Sequence, residues 1–282
     1  MTDPEVETPK RRFRGSRGPT GEERAPRRGL YLLPHLITTA GIFFGFYAIV
    51  QAFTGNPDFA AVGIILAIVC DTLDGRVARM AGSASRFGLE YDSIADTVSF
   101  GVAPAMLAFG AGNLNVLGRP GWVMAFLFTV CAALRLARFN ISPGRYRGRF
   151  EGLPSPAAAG VVATTQLFAS FVREHGLAWN APEFTVAAGM AILGLLMVSP
   201  VPYRNFKEID LRHSYRTLVI VVVAIVLVIQ EPSVSLFALS LLYAVSGPIE
   251  WLWRLYTKQP LEEIAEPVST EPQEGELDRM TS

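Results

Sequence analysis

The sequence predicts an all-α membrane protein: a polytopic bundle of about eight transmembrane helices with disordered polar ends. Three observations carry this. Hydrophobic residues make up 50% of the 282-residue chain and charged residues only 18%, against roughly 25% charged in an ordinary soluble domain. The charge that exists is pushed to the ends, with eight Lys or Arg in residues 1–30 and seven acidic residues in 257–282. Between the ends run apolar stretches of about 20 residues, the length that crosses a bilayer. A soluble globule and a wholly disordered chain are both excluded. The zero formal net charge reflects two opposite tails that cancel.

Eight spans are expected, at 35–53, 59–79, 89–109, 121–139, 153–172, 184–202, 214–230 and 233–256. Breakers separate several of them: Gly55-Asn56-Pro57, Gly118-Arg119-Pro120-Gly121 and Asn180-Ala181-Pro182. No cleavable signal precedes the first span, which follows a 30-residue polar arm. The runs lack the two-residue alternation of membrane strands, so a closed barrel is excluded. With the N-terminus placed inside, 23 of the 25 Lys and Arg fall on the cytoplasmic side, and only Arg119 and Arg173 fall opposite. This asymmetry predicts both termini in the cytoplasm. The arm 1–30 and the tail 258–282 bury too little apolar surface to fold alone, leaving 31–257 as the membrane domain. The basic arm has no interleaved aromatics, so it suits an anionic leaflet rather than nucleic acid. Cys70 and Cys131 both lie in apolar runs and read as reduced, packed thiols.

Four carboxylates interrupt the apolar pattern. The second span contains Asp71-x2-Asp74-Gly75-x2-Ala78-Arg79, and the third opens Gly88-x3-Asp92-x3-Asp96. At about 3.6 residues per turn, Asp71, Asp74, Gly75 and Ala78 share one stripe, with Arg79 at its edge. Gly88, Asp92, Asp96 and Ser99 share another. The short turn at 80–87 predicts antiparallel neighbours whose stripes face each other across a cleft near the cytoplasmic surface. Asp71 lies about eight residues from the span's end, so roughly 12 Å deep.

Charges at that depth are expensive and functional. Four carboxylates there cannot all ionise without cations. Protonation or a basic partner would relieve them, but divalent metal fits the donors better. Hard oxygen ligands select Mg²⁺, Mn²⁺ or Ca²⁺ over Zn²⁺. Two such ions can clamp the attacking and leaving oxygens of a phosphoryl displacement.

The complete pattern, Asp71-x2-Asp74-Gly75-x2-Ala78-Arg79-x8-Gly88-x3-Asp92-x3-Asp96, resembles the signature of the CDP-alcohol phosphotransferase family. Flanking strings extend the likeness to one branch, the bacterial membrane-embedded phosphatidylserine synthases. These strings are Ser85 to Asp96, Val98-Ser99-Phe100-Gly101-Val102-Ala103-Pro104, Leu134-Arg135-Leu136-Ala137-Arg138-Phe139-Asn140 and Gly152-Leu153-Pro154-Ser155-Pro156-Ala157-Ala158. The resemblance implies condensation of CDP-diacylglycerol with L-serine, release of CMP, and an active site on the cytoplasmic face of a bacterial inner membrane. It implies Asp71, Asp74 and Asp92 as ligands to two Mg²⁺ or Mn²⁺ ions. Asp96 matches the general-base position and is also expected to touch a metal. Gly75, Ala78, Arg79 and Gly88 match positions that hold the CDP moiety. The family's usual homodimer is expected too, with Gly41-x3-Gly45 as a candidate helix-pairing face.

Serine's carboxylate needs a cation, and Arg135 and Arg138 at the end of the fourth span are the candidates. Glu90 reads as a solvated helix-start glutamate, and Arg145, Arg147 and Arg149 as lipid-facing topology determinants. His35, His175 and His213 are scattered without metal spacing. Trp122, Trp179, Trp251 and Trp253 sit where interface anchors sit. Pro104 and Pro156 are expected to kink their helices. Two other readings stay open. Another acceptor, such as glycerol 3-phosphate or inositol phosphate, would want a strongly basic pocket. A cation-coupled transporter would want carboxylates at the midplane between repeats, and the acidic pattern occurs once.

Overall fold

The computed structural model describes residues 32–81, 86–141, 149–177, 181–204, 226 and 228–257. Both polar tails, Trp179, Arg145, Arg147 and His213 lie outside the described residues. So does nearly all of the expected span 214–230, of which 226 and 228–230 are helical.

The elements follow the apolar runs. Helix α1 spans Leu32–Phe53 and α2 spans Pro57–Ala81. The break between them is built from the expected breaker. Gly55 takes φ +80°, and the Asn56 amide donates to the Gln51 carbonyl at 2.9 Å, the Schellman way of closing a helix. Pro57 then opens α2, where its missing N–H costs nothing. The two helices pack along small residues. Ala48, Ala60, Ala61 and Ala67 are buried, and a Cβ on Gly63 would stand 3.0 Å from the Phe44 carbonyl.

The third span is one rod in three parts: α3 at Arg86–Asp96, a π-helical stretch at Thr97–Val102, and α4 at Ala103–Gly110. Pro104 stands in the first turn of α4, directly after the π-helical stretch, where a missing N–H is tolerated. Pro156 likewise stands in a first turn, at the start of the helix Ser155–Glu174, whereas Pro104 lies inside the continuous rod Phe87–Gly110. The widened π turn is tied to its neighbours. Ser99 Oγ donates to the Gly41 carbonyl at 3.2 Å, and Thr129 Oγ1 reaches the Gly101 carbonyl at 3.2 Å.

A 3₁₀ turn at Leu114–Leu117 leads to α5 at Arg119–Ile141, followed by β1 at Arg149–Glu151, α6 at Ser155–Glu174 and α7 at Glu183–Val198. The expected span 184–202 is cut short at Val198. Pro200 and Pro202 cannot continue the helix, and residues Pro202–Arg204 form β2 instead, antiparallel to β1 with Phe150 opposite Tyr203. Helix α8, Pro232–Thr257, closes the bundle.

Two buried clusters fill the interior. One joins α1, α2, α4 and α6 around Ile64, Phe100 and Leu107. The other joins α5, α6, α7 and α8 around Phe128, Leu153, Met197 and Tyr203. Large apolar side chains cover the outside instead of charge, among them Phe43, Phe46, Trp122, Leu195 and Leu242. That is the surface a bilayer requires. Five described helices are long and apolar enough to cross a membrane: Leu33–Phe53, Phe87–Gly110, Arg119–Ile141, Ser155–Glu174 and Pro232–Thr257. Helix α2 has the length but carries Asp71, Asp74, Arg76 and Arg79 in its second half, and α7 is shorter.

Helices α2 and α3 bring their acidic stripes together, as expected. Each packs against α1, and α2 meets the third rod mainly at its π-helical stretch and α4. A cleft is left between α2 and α3, with α1 as its floor.

Candidate active site

The cleft gathers the acidic residues. One carboxylate oxygen each from Asp71, Asp74 and Asp92 lie within 4.8 Å of one another. Asp74 is buried, at 5% exposure, while Asp71 and Asp92 are half-buried. The floor helix serves this group directly. Thr38 Oγ1 stands 2.8 Å from Asp74 Oδ2 and 3.0 Å from the Pro34 carbonyl, so its one proton serves one acceptor at a time. Thr38 was not among the expected site residues. The only hint in the sequence was a hydroxyl pair, Thr38-Thr39, inside an apolar span.

Helix α3 is held from both sides at the level of Asp92. Tyr91 Oη lies 3.0 Å from Thr39 Oγ1 on α1, and its ring stacks on Phe87 at 5.9 Å. On the other flank, Asn140 Nδ2 on α5 donates to Ser93 Oγ at 2.9 Å. Asp92 lies between these two anchored residues, so its direction into the cleft is fixed by neighbours that are not themselves acidic.

Asp96 stands outside the converging trio. It is the last residue of α3, where the π-helical stretch begins. It lies within Coulombic range of Asp71, Asp92 and Asp74, and also of Arg135. π-helical insertions recur at functional sites because they re-aim the residues beside them.

The small residues of the stripe leave room. A Cβ on Gly75 would meet only Arg79 Nη1, at 3.5 Å, so the space before Gly75 is open and bounded by a cation. Ala78 and Gly88 are half-buried and Arg79 is exposed. Gly41 and Gly45 do not form a free pairing face. Gly41 packs on Cys70, and a Cβ on Gly45 would collide with Ser99. Both are used inside the chain.

The two candidate arginines separate. Arg135 is buried, at 7% exposure. Its Nη1 lies 3.4 Å from Ser155 Oγ, and its Nε finds no hydrogen-bond partner among the described residues. Arg138 is engaged elsewhere: it donates to the Val198 carbonyl at 3.0 Å and the Glu151 carbonyl at 3.2 Å. It ties the end of α7 to β1 rather than facing the cleft. Arg149 is not lipid-facing either, because it pairs with Glu250 at 2.8 Å.

Three carboxylates this close repel strongly. A like-charge pair at 4 Å costs about 4 kcal/mol at an effective dielectric of about 20. The donors are all hard oxygens, partly dehydrated and convergent, with one held by a hydroxyl. They fit a divalent cation of the Mg²⁺ or Mn²⁺ type.

Comparison with known proteins agrees with this geometry. Residues 31–198 match the sequence model of the CDP-alcohol phosphatidyltransferase family. The chain belongs to that family. All four aspartates and the cleft lie within the matched stretch. Among curated relatives, a CDP-diacylglycerol–serine O-phosphatidyltransferase of Helicobacter pylori is 36% identical over 229 residues, covering 81% of this chain and 94% of the relative. A protein of the same name from Mycobacterium leprae is 32% identical, covering 78% of this chain and 74% of the relative. An archaetidylserine synthase of Methanothermobacter thermautotrophicus is 33% identical, covering 61% and 69%. This CDP-alcohol phosphatidyltransferase therefore aligns with relatives named for serine as acceptor, in bacteria and in archaea.

Proposed function

We propose that the protein is a metal-dependent CDP-diacylglycerol–serine O-phosphatidyltransferase, making phosphatidylserine and CMP. The observation that carries the reading is the convergence of carboxylate oxygens of Asp71, Asp74 and Asp92 within 4.8 Å of one another, inside the stretch 31–198 that matches the CDP-alcohol phosphatidyltransferase family.

The lipid donor keeps its acyl chains in the bilayer while its headgroup enters beside Gly75 and Ala78, where the helix surface is low. Arg79 at the rim meets the diphosphate, and Gly88 lets the nucleotide approach α3. A divalent cation held by Asp71, Asp74 and Asp92, with a second beside them, would neutralise the diphosphate and stabilise charge on the departing CMP. Asp96 takes the proton of the serine hydroxyl as that oxygen bonds to the phosphorus carrying diacylglycerol. The phosphorus–oxygen bond to CMP breaks, and Arg79 steadies the leaving phosphate. Asp96 serves here as the base rather than as a member of the ligand trio. Positioning and charge stabilisation carry most of the burden in phosphoryl transfer.

The acceptor choice is supported by charge. A phosphorylated acceptor would want several cations. Of the described arginines at 135–149, Arg138 is taken by carbonyls and Arg149 by Glu250, whereas the buried Arg135 has an Nε without a hydrogen-bond partner among the described residues, which suits one carboxylate. The distribution of Lys and Arg supports a site on the cytoplasmic side of a bacterial inner membrane. The family resemblance carries a homodimer with it, which cross-linking in native membranes tests.

The deciding experiment uses purified protein in mixed micelles with CDP-diacylglycerol and Mg²⁺ or Mn²⁺. L-serine, glycerol 3-phosphate, inositol phosphate and choline are offered in parallel. Phosphatidylserine formed at least tenfold faster than any other product is the expected result. A preference for a phosphorylated acceptor contradicts the reading, and solute uptake without CMP release would favour a transporter.

A further inference from the structure

The end of the bundle opposite the carboxylate cleft holds a cavity of about 550 Å³, bounded by α4, the later turns of α6 and the earlier turns of α7. Helix α2 fixes its place. Asp58, in the first turn of α2, accepts from Gln166 Nε2 at 3.0 Å and from Ser170 Oγ at 2.6 Å, both on α6, and Gln166 lines the cavity. Asp71 and Asp74 follow Asp58 by more than three turns of the same helix, which puts the cleft about 20 Å away along its axis. The cavity and the cleft therefore face opposite leaflets.

Packed interiors leave few voids larger than a water molecule, and this one has the size of a ligand site. Its walls are apolar, with Leu107, Val161, Val162, Met190 and Leu193 among them. Gly189 belongs to the α7 wall, and a Cβ there would meet nothing within 4 Å. The charged residues of the lining are Arg173, in the last turn of α6, and Glu183, in the first turn of α7. Both stand at the end farthest from the cleft. Arg173 is exposed and its Nη2 donates to Ser170 Oγ at 2.9 Å. Among the described residues no carboxylate pairs with Arg173 and no cation pairs with Glu183. Arg173 is also one of the two basic residues that the charge distribution sets on the far side of the membrane.

We propose that this cavity binds a bilayer phospholipid with a zwitterionic amino headgroup. One acyl chain lies between α4, α6 and α7, the phosphate meets Arg173 and the ammonium meets Glu183. An apolar chamber in a bilayer takes up hydrocarbon, and one cation with one carboxylate at its mouth complements a phosphate and an ammonium on the same molecule. A lipid with a phosphate and no ammonium would leave the Glu183 carboxylate uncompensated beside its own negative charge. The site is separate from the carboxylate cleft and does not depend on the acceptor used there.

The test uses full-length protein, purified in detergent and depleted of lipid, with phosphatidylethanolamine and phosphatidylglycerol as probes. Bound lipid is counted by native mass spectrometry, and stabilisation is followed by thermal unfolding. Wild type is expected to bind phosphatidylethanolamine saturably and about tenfold more tightly than phosphatidylglycerol. Glu183→Gln should erase that preference. Arg173→Gln should weaken both lipids about tenfold, the loss of a hydrogen bond to a charged group. Gly189→Phe fills the cavity and should abolish saturable binding. If Gly189→Phe fails to fold, the two charge variants decide by the same ratios. Equal affinity of wild type for the two lipids overturns the inference, as does phosphatidylethanolamine binding undiminished in Gly189→Phe or in both charge variants. A homodimer that separates in Gly189→Phe would give the cavity to a second copy of the chain and overturn it as well.

Discussion

The Thr38 hydroxyl on α1 stands 2.8 Å from Asp74 Oδ2 on α2, joining the floor of the cleft to its most buried carboxylate. The bond stabilises the ionised form of Asp74 and fixes its rotamer. The first helix, which carries no acidic residue, thereby holds one of the three clustered carboxylates. Outer partners of this kind are worth roughly 10–100-fold in metal affinity.

Replacing Thr38 by Val keeps the shape and removes the hydroxyl. The Mg²⁺ concentration for half-maximal activity is expected to rise about tenfold, with unfolding temperature little changed. A cation titration of CMP release checks this. An unchanged midpoint would separate Thr38 from the site.

Asp96→Asn removes the proton acceptor and keeps the volume. CMP release is expected to fall about 10²–10⁴-fold, the usual worth of a general base. Cation binding by the Asp71, Asp74 and Asp92 trio should persist, read by Mn²⁺ electron paramagnetic resonance. Turnover near wild type refutes the role given to Asp96.

Arg138→Gln tests the distinction between the two arginines. Arg138 ties α7 to β1 through two carbonyls, so its loss is expected to cost stability, about 1–3 kcal/mol. The KM for serine in the folded fraction should stay within about twofold. A selective rise in serine KM with full stability would return Arg138 to the acceptor site.

Gly45→Val places a side chain where Ser99 sits in the π-helical stretch. The close approach leaves no room, and overpacking of this kind typically costs about 1–3 kcal/mol. Thermal unfolding of the detergent-solubilised protein measures it. Gly189→Ala, where a Cβ meets nothing within 4 Å, is the neutral control.

Much of this was legible in the chain. Asp71, Asp74, Asp92 and Asp96 mark the cleft because a carboxylate inside an apolar run is too costly to keep without a use. The helices at 32–53 and 57–81 follow from run length and the Gly55 break. Face periodicity tells which residues of a helix lie together, but not which helix they meet. Hence the facing stripes of α2 and α3 were legible, but not that both helices lean on α1. The same blindness hid Thr38, whose role depends on a contact 36 residues away. It also grouped Arg138 with Arg135, although backbone carbonyls at Glu151 and Val198 claim one and not the other. The π-helical stretch after Asp96 leaves no mark in composition, and α7 stopped early because Pro200 and Pro202 outweighed an otherwise apolar run.

On the proposed function, the carboxylate cleft works by holding divalent cations against a nucleotide-activated lipid. The most direct measurement is phosphatidylserine and CMP formation by purified protein stripped with chelator, before and after graded Mn²⁺ or Mg²⁺. No product is expected from the stripped protein, and both products should recover in equal amounts as the cation returns. Full turnover after exhaustive chelation, or recovery undiminished in a variant carrying both Asp71→Asn and Asp92→Asn, would contradict it.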